Sequence, residues 1–262
     1  MVLGRKKRLK FIDGIPHGTH MDSLCLSQDW GIGLIEAALA GKYPTRKAAF
    51  EKKKLIGSRK FEFEIVDVPL ARELWLRVVK VDRTPVTAFP VLSGEKVDFE
   101  VKEVLEWKEW PEADIAGTVV NEHSPALVFY AADYVENREK YLGSERIRVG
   151  LSFFVYSGTA GVIERTTTRL PDGKEVVIDL NEAEILLPAA VSVQGAFIDD
   201  YVMTAHVLDL EEVSTPCGGG YIMLLSNEPL GRVRAFALKE RLRGEIEKGA
   251  SLKLVGWLQG GL

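Results

Sequence analysis

The residues best suited to chemistry lie near the start of the chain, where His17, His20 and Cys25 stand in the pattern His-x2-His-x4-Cys. Imidazole and thiolate both bind zinc, and Cys217 or His123 can supply a fourth ligand. The pattern lacks the Cys-x2-Cys pair of many structural zinc sites, so an ordinary polar loop is the competing and preferred reading. Cys217 sits in Pro-Cys-Gly-Gly-Gly, residues 216–220, where exposed backbone N–H groups can activate a thiolate. With no histidine beside it in sequence, a flexible hairpin connection fits better. Asp199 and Asp200 are adjacent carboxylates ahead of an extended segment. Neighbours on a strand face opposite ways, which makes them a poor acid–base pair and suits a turn. His206 lies mid-strand and reads as a packed or surface residue. The glycine-rich stretches lack the Gly-Lys-Ser/Thr ending of a phosphate-binding loop, and no Gly-x-Gly-x-x-Gly joins a strand to a helix. No catalytic set emerges, and no cofactor is implied.

A recognition surface is the second possibility. Phe129, Tyr130, Tyr134, Tyr141, Phe153 and Tyr156 are interleaved with Arg138, Lys140, Arg146 and Arg148. Rings and cations in this mixture can stack on a ligand and neutralise it. Tyr130, Tyr134, Arg138, Lys140, Arg146 and Arg148 are therefore the candidate ligand-binding residues; a barrel core with a solvated charged face is the competing reading. Trp107 and Trp110 offer further stacking platforms, but they sit among Glu103, Glu106, Glu109 and Glu112. That company repels nucleic acid and favours packing.

The net charge of −4 conceals an asymmetry. Residues 1–60 carry 13 Lys and Arg against 5 Asp and Glu, residues 61–195 carry 14 against 24, and residues 196–262 carry 7 against 9. A basic arm can meet an anionic partner, or fold back onto its own acidic body. The composition, 46% hydrophobic and 27% charged, is that of globular material. No apolar run approaches the roughly 18 residues that span a bilayer. The basic stretch at residues 5–10 is not followed by the apolar segment of a secretory signal. Two distant cysteines suit free thiols in a reducing cytoplasm.

The hydrophobic periods give the elements that must position these groups. Residues 32–40 predict a short helix stopped at Gly41. Arg46 to Ile56, rich in Ala, Lys and Glu behind Thr45, predicts a second. From Phe61 the period changes to two: 61–68, 74–81 and 97–104 read as an antiparallel meander. Further strands are expected at 115–120, 126–130, 146–156, 162–168, 176–180 and 185–187, with a helical turn at 134–141. Segments 115–156 and 201–258 share a loose plan, although no fixed repeat is present.

The last quarter alternates in glycine-punctuated blocks at 201–213, 220–226, 232–238 and 251–258, with a charged helix expected over Lys239–Lys248. Trp257 is expected to pack inside this module, with Gly256 at a bend. The segment resembles a small barrel of the OB-fold type, with four strands where that fold has five. The resemblance implies a platform for oligonucleotides or oligosaccharides. The expected organisation is thus mainly β with a short helical N-terminal region, its antiparallel sheets forming small barrels or sandwiches. Residues 1–60 form a basic, partly helical region, 61–112 a meander, 113–195 a β-domain and 196–262 the OB-like module. The expected function is a cytoplasmic, non-enzymatic binding protein that engages protein or nucleic acid through a β-barrel face. The alternatives are an enzyme with an interdomain site and an assembly subunit that pairs by its sheet edges.

Overall fold

A computed structural model describes residues 8–14, 17–24, 28–53, 58–161, 165–169, 175–179 and 184–262. Strand β1 (Arg8–Ile12), the single turn α1 (Gly18–Met21) and helix α2 (Gln28–Leu39) come first. A four-stranded antiparallel sheet follows, formed by β2 (Thr45–Lys53), β3 (Ser58–Ala71), β4 (Leu74–Val81) and β5 (Thr84–Leu92). The remaining chain gives β6 (Glu95–Trp107), β7 (Ala113–Val119), β8 (Ala126–Ala131), α3 (Tyr134–Gly143) and β9 (Arg146–Ala160). After the separate hairpin β10 (Arg165–Arg169) and β11 (Glu175–Asp179) come β12 (Leu186–Pro188), β13 (Asp200–Thr215), β14 (Gly218–Asn227), β15 (Gly231–Leu238), β16 (Leu242–Arg243) and β17 (Ser251–Gly261). The protein is mainly β, with antiparallel and mixed sheets. Its helices are not confined to the N-terminal region, since α3 lies mid-chain. No helix among the described residues is long and apolar enough to cross a membrane.

The large sheet repeats one plan twice. Three antiparallel strands in sequence (β6–β7–β8, then β13–β14–β15) are followed by a fourth, β9 or β17. The fourth strand pairs antiparallel with the first of its own quartet, and parallel with the third of the other: β9 with β6 and β15, β17 with β13 and β8. Strands β9 and β17 then pair with each other. The pairings therefore run in two closed circuits that share β9 and β17. The irregularities correspond too. Register shifts between Val101 and Glu103 against β7, and between Val207 and Asp209 against β14.

Two expected helices are corrected. Arg46 and the residues after it have good helix propensity, yet Thr45–Lys53 is strand β2. Pairing with β3 sets Ala48 opposite Phe63 and Phe50 opposite Phe61. The buried Phe50 ring lies 5.1 Å from Phe63 and 5.9 Å from Phe61. Cross-strand aromatic contact outweighs a propensity worth only tenths of a kcal/mol per residue. Lys239–Lys248 is instead a 3-10 turn at Lys239–Arg241, followed by β16 pairing parallel with Gly158 and Thr159. Gly244 stops any helix there: its φ is +84°, and a Cβ would stand 2.7 Å from the Ala160 oxygen.

The core has two layers. One lies on the circuits' inner faces and includes Phe99, Phe129, Phe153, Met203, Leu252, Leu254 and Leu258. The other lies between the large sheet and the four-stranded one, joining Phe63, Ile65, Val78 and Phe89 to Trp107, Tyr130, Phe154 and Trp257. Trp257 is buried as expected, but on the face opposite its leucine neighbours, towards the second sheet. Its strand shifts register against β9 between Val255 and Gly256. At Gly256 a Cβ would lie 2.1 Å from the Phe154 oxygen. Gly256→Ala should therefore destabilise the protein by about 1–3 kcal/mol, whereas Gly33→Ala, mid-helix with nothing within 4 Å, should stabilise by roughly 0.5–1 kcal/mol. Urea denaturation of both variants measures the contrast.

Candidate functional site

Between the two sheets, the segment after β1 inserts two histidines. His17 and His20 fall three residues apart across one helical turn, so they share a face. The turn is held by the Met21 N–H on the His17 carbonyl (2.9 Å) and by Ser23 Oγ on the His20 carbonyl (2.7 Å). Both rings are buried. His20 stacks on Trp257, centroids 3.9 Å apart and planes 2° from parallel, with Tyr156 parallel to it at 6.5 Å. His17 packs among Phe89, Trp107 and Tyr130, at 5.0–5.4 Å.

Four buried carboxyl groups share this cluster. Glu112 Oε1 accepts hydrogen bonds from Thr87 Oγ1 (2.7 Å) and Tyr130 OH (2.8 Å), and lies 2.7 Å from His17 Nε2. Asp114 Oδ2 accepts the Trp107 indole N–H at 2.9 Å, and Asp199 Oδ2 accepts that of Trp257 at 2.5 Å. Asp200 accepts from Tyr156 OH (3.0 Å) and the Phe197 N–H (2.8 Å). His17 Nδ1 and His20 Nδ1 are 2.9 Å apart, a contact that holds one hydrogen. For two singly protonated rings the polarity follows. Glu112 accepts, so His17 donates through Nε2. His17 Nδ1 is then a lone pair that accepts from His20 Nδ1–H, and His20 Nε2 is left bare.

Burial dominates the electrostatics. It pushes the Asp114 carboxyl up to about 7, with Glu112 adding to the rise and the Trp107 indole opposing it. Burial, then Asp114 and Asp200, push Asp199 well above the carboxylate range. Burial and neighbouring His17 hold the His20 imidazole well below its ordinary value. Three ligand-bearing side chains, His20, Asp199 and Asp200, offer atoms that all lie within 4.8 Å of one another.

Of the expected zinc ligands, the structure brings His17 and His20 together; Cys25 lies outside the described residues. His123 is exposed beside Glu228, and Cys217 lies in the β13–β14 turn. Asp199 and Asp200, expected in a simple turn, are instead buried at the site. His206 is satisfied by Ser251 Oγ at 3.0 Å. The six candidate ligand-binding residues do not share a surface. Tyr130, Tyr134 and Arg138 point inward, while Lys140, Arg146 and Arg148 are exposed. Tyr134 OH and Arg138 Nε both bond Glu106 Oε2, at 2.6 and 2.7 Å, which ties α3 to β6. Trp107 is buried and Trp110 is 42% exposed. The terminal Gly260 and Gly261 are strand residues of β17, and Gly260 packs on Phe129.

Two surface depressions are prominent among the described residues. One, about 370 Å³, is lined by Trp75, Arg46, Arg77 and Gln259; its two arginines are committed to Asp67. The other, about 490 Å³, is lined by Tyr156, Ser157, Thr159, Arg241, Arg243 and Lys253, with Glu240 its single acid. Tyr156, which binds Asp200, is also a wall of this second cleft. Sequence reasoning missed its cations because Arg241 and Arg243 were assigned to a helix. The signal was the alternation Leu252-Lys-Leu254, which turns Lys253 to the face opposite the leucines. Comparison with family models, curated proteins and solved structures finds no match to this chain.

Asp114 makes stability depend on pH. The folded state holds its proton up to about 7, while an unfolded aspartate releases it near 3.9. Its contribution is therefore complete below pH ~4 and is lost as pH rises through 7. The unfolding free energy should fall between pH 5 and pH 8, and Asp114→Asn should remove on the order of 2–3 kcal/mol of that fall. Equal pH slopes for the variant and the parent in urea denaturation would count against the assignment.

Proposed function

We propose that this chain binds nucleic acid on the face of a small β-barrel formed by the shared strands β9 and β17 with β16. The observation that carries the reading is the cleft of about 490 Å³ in which Arg241, Arg243 and Lys253 converge beside the hydroxyls of Ser157 and Thr159. Phosphate oxygens are recognised by this combination of cations and hydroxyl donors. Arg243 and Lys253 are exposed and have no ion-pair partner among the described residues, so their charge is available to a polyanion. The closed strand circuits support the barrel reading, and the expected OB-like resemblance of the last quarter would suit the same ligand class. A cytoplasmic setting accords with this ligand.

An enzyme with its centre between the two sheets is the second reading. One observation favours it: Tyr156 joins the wall of this cleft to Asp200 and the buried histidines. Cleavage of bound oligonucleotide would select it over simple binding.

The test uses a fluorescein-labelled single-stranded 20-mer, as RNA and as DNA, followed by anisotropy across a salt series. Log affinity should fall with log salt. Arg243→Ala combined with Lys253→Ala should weaken binding and flatten the slope by about 1.4, because each lost contact to a single strand removes roughly 0.7. Unchanged affinity and slope in the double variant would refute the cleft as the binding face.

A further inference from the structure

We infer that His20, Asp199 and Asp200 form a binding site for one divalent transition-metal ion. The three residues come from two separate parts of the chain: His20 from α1, and Asp199 and Asp200 from the point where β13 begins. All three are buried, at 0%, 1% and 5% exposure. Their ligand atoms lie within 4.8 Å of one another, a span that a small side-chain contraction brings within reach of a single cation.

An independent observation shows that the cluster is built to receive something. His20 Nε2 and Asp199 Oδ1 are buried and have no hydrogen-bond partner among the described residues. Buried polar groups left without a partner destabilise the fold. The hydrogen-bond chain from Glu112 through His17 fixes what is missing. Glu112, held as an acceptor by Thr87 and Tyr130, leaves His20 Nε2 as a lone pair. In the same cluster Asp199 Oδ2 accepts from Trp257, while Asp200 Oδ1 and Oδ2 accept from Tyr156 and the Phe197 amide. Once Asp199 gives up its proton, the site presents unshared electron pairs at His20 Nε2 and Asp199 Oδ1, and one cation satisfies both at once.

The surroundings match those of metal ligands. A ligating histidine ordinarily donates its second ring N–H to an acceptor that sets its tautomer; here His17 accepts from His20 Nδ1 and passes the polarity on to Glu112. Trp257 orients Asp199, and Tyr156 orients Asp200. One imidazole and two carboxylates suit zinc, manganese, iron or cobalt. An all-oxygen set would be needed to favour calcium or magnesium, and thiolate to favour copper(I). These residues differ from the cations of the proposed nucleic-acid cleft, so the two ideas stand or fall separately.

The experiment takes the full chain, strips it with chelator, and titrates Zn2+ in competition with a chromophoric chelator. Co2+ serves as a second, visible probe. One equivalent should bind, the melting temperature should rise, and Trp257 fluorescence should change because His20 stacks on that indole. Asp199→Asn keeps an acceptor for the Trp257 N–H and so preserves the fold; it should weaken binding by on the order of a hundredfold or more. Tyr156→Phe, which removes only an orienting bond, should cost about tenfold, within the range for outer-shell partners. Oligonucleotide affinity of Asp199→Asn in chelator should match that of the parent. The inference is overturned if the parent binds no stoichiometric metal, or if Asp199→Asn and Asp200→Asn bind as tightly as it does. It is also overturned if Asp199→Asn raises the melting temperature while added metal leaves the parent unaffected, since a proton would then be the occupant.

Discussion

Four carboxyl groups buried in one interface must each find hydrogen-bond donors, and that requirement binds the parts of this protein together. A buried carboxylate left without donors costs several kcal/mol. The donors come from every side. Thr87 belongs to the four-stranded sheet. Trp107, Tyr130, Tyr156 and Trp257 belong to four strands of the large sheet, and His17 belongs to the segment after β1. No single element could satisfy the set. The two sheets and the histidine turn are consequently held in one arrangement by polar contacts as well as by the apolar layer around them. Because the contacts are directional, they also fix which ring nitrogen carries hydrogen, and so what chemistry the interface can do.

The strands that deliver these groups are the two that close the circuits. Along β17, Leu252, Leu254 and Leu258 face the interior of the large sheet while Trp257 faces the second sheet. Along β9, Phe153 and Val155 face the interior and Phe154 faces the second sheet, while Tyr156, at the register shift, reaches Asp200. The same two strands carry Ser157, Thr159 and Lys253 to the outer cleft. A change at the β9–β17 pairing therefore moves the buried cluster and the basic cleft together, which places both on the most constrained part of the molecule.

Much of this was legible in the sequence. The period-two blocks marked the strands, including Leu74–Val81 at its observed limits. The loose plan shared by segments 115–156 and 201–258 is one strand out of step with the observed repeat, in which β6, not β7, corresponds to β13. The His-x2-His spacing drew attention to His17 and His20, which the structure brings together, although an ordinary polar loop is the preferred reading of that spacing. What the sequence could not convey was company. Glu112 and Asp114 gave no signal of meeting Asp199 and Asp200, because 85 or more residues of chain separate them. Tyr130 and Arg138 looked like surface residues because aromatic and basic types are shared by binding faces and by satisfied interiors. Helix propensity misled at 46–53 and 239–248, where Phe61 and Phe63 across the ladder and the backbone of Ala160 decided the conformation.

The central claim is that two imidazoles form a directed hydrogen-bond chain from Glu112 to a bare nitrogen on His20. Long-range 1H–15N correlation of the histidine side chains tests it most directly. The account predicts a protonated Nε2 on His17, a protonated Nδ1 on His20 and an unprotonated Nε2 on His20, with no tautomer averaging. Rings that average both tautomers and titrate together near the ordinary histidine value of about 6.5 would contradict it.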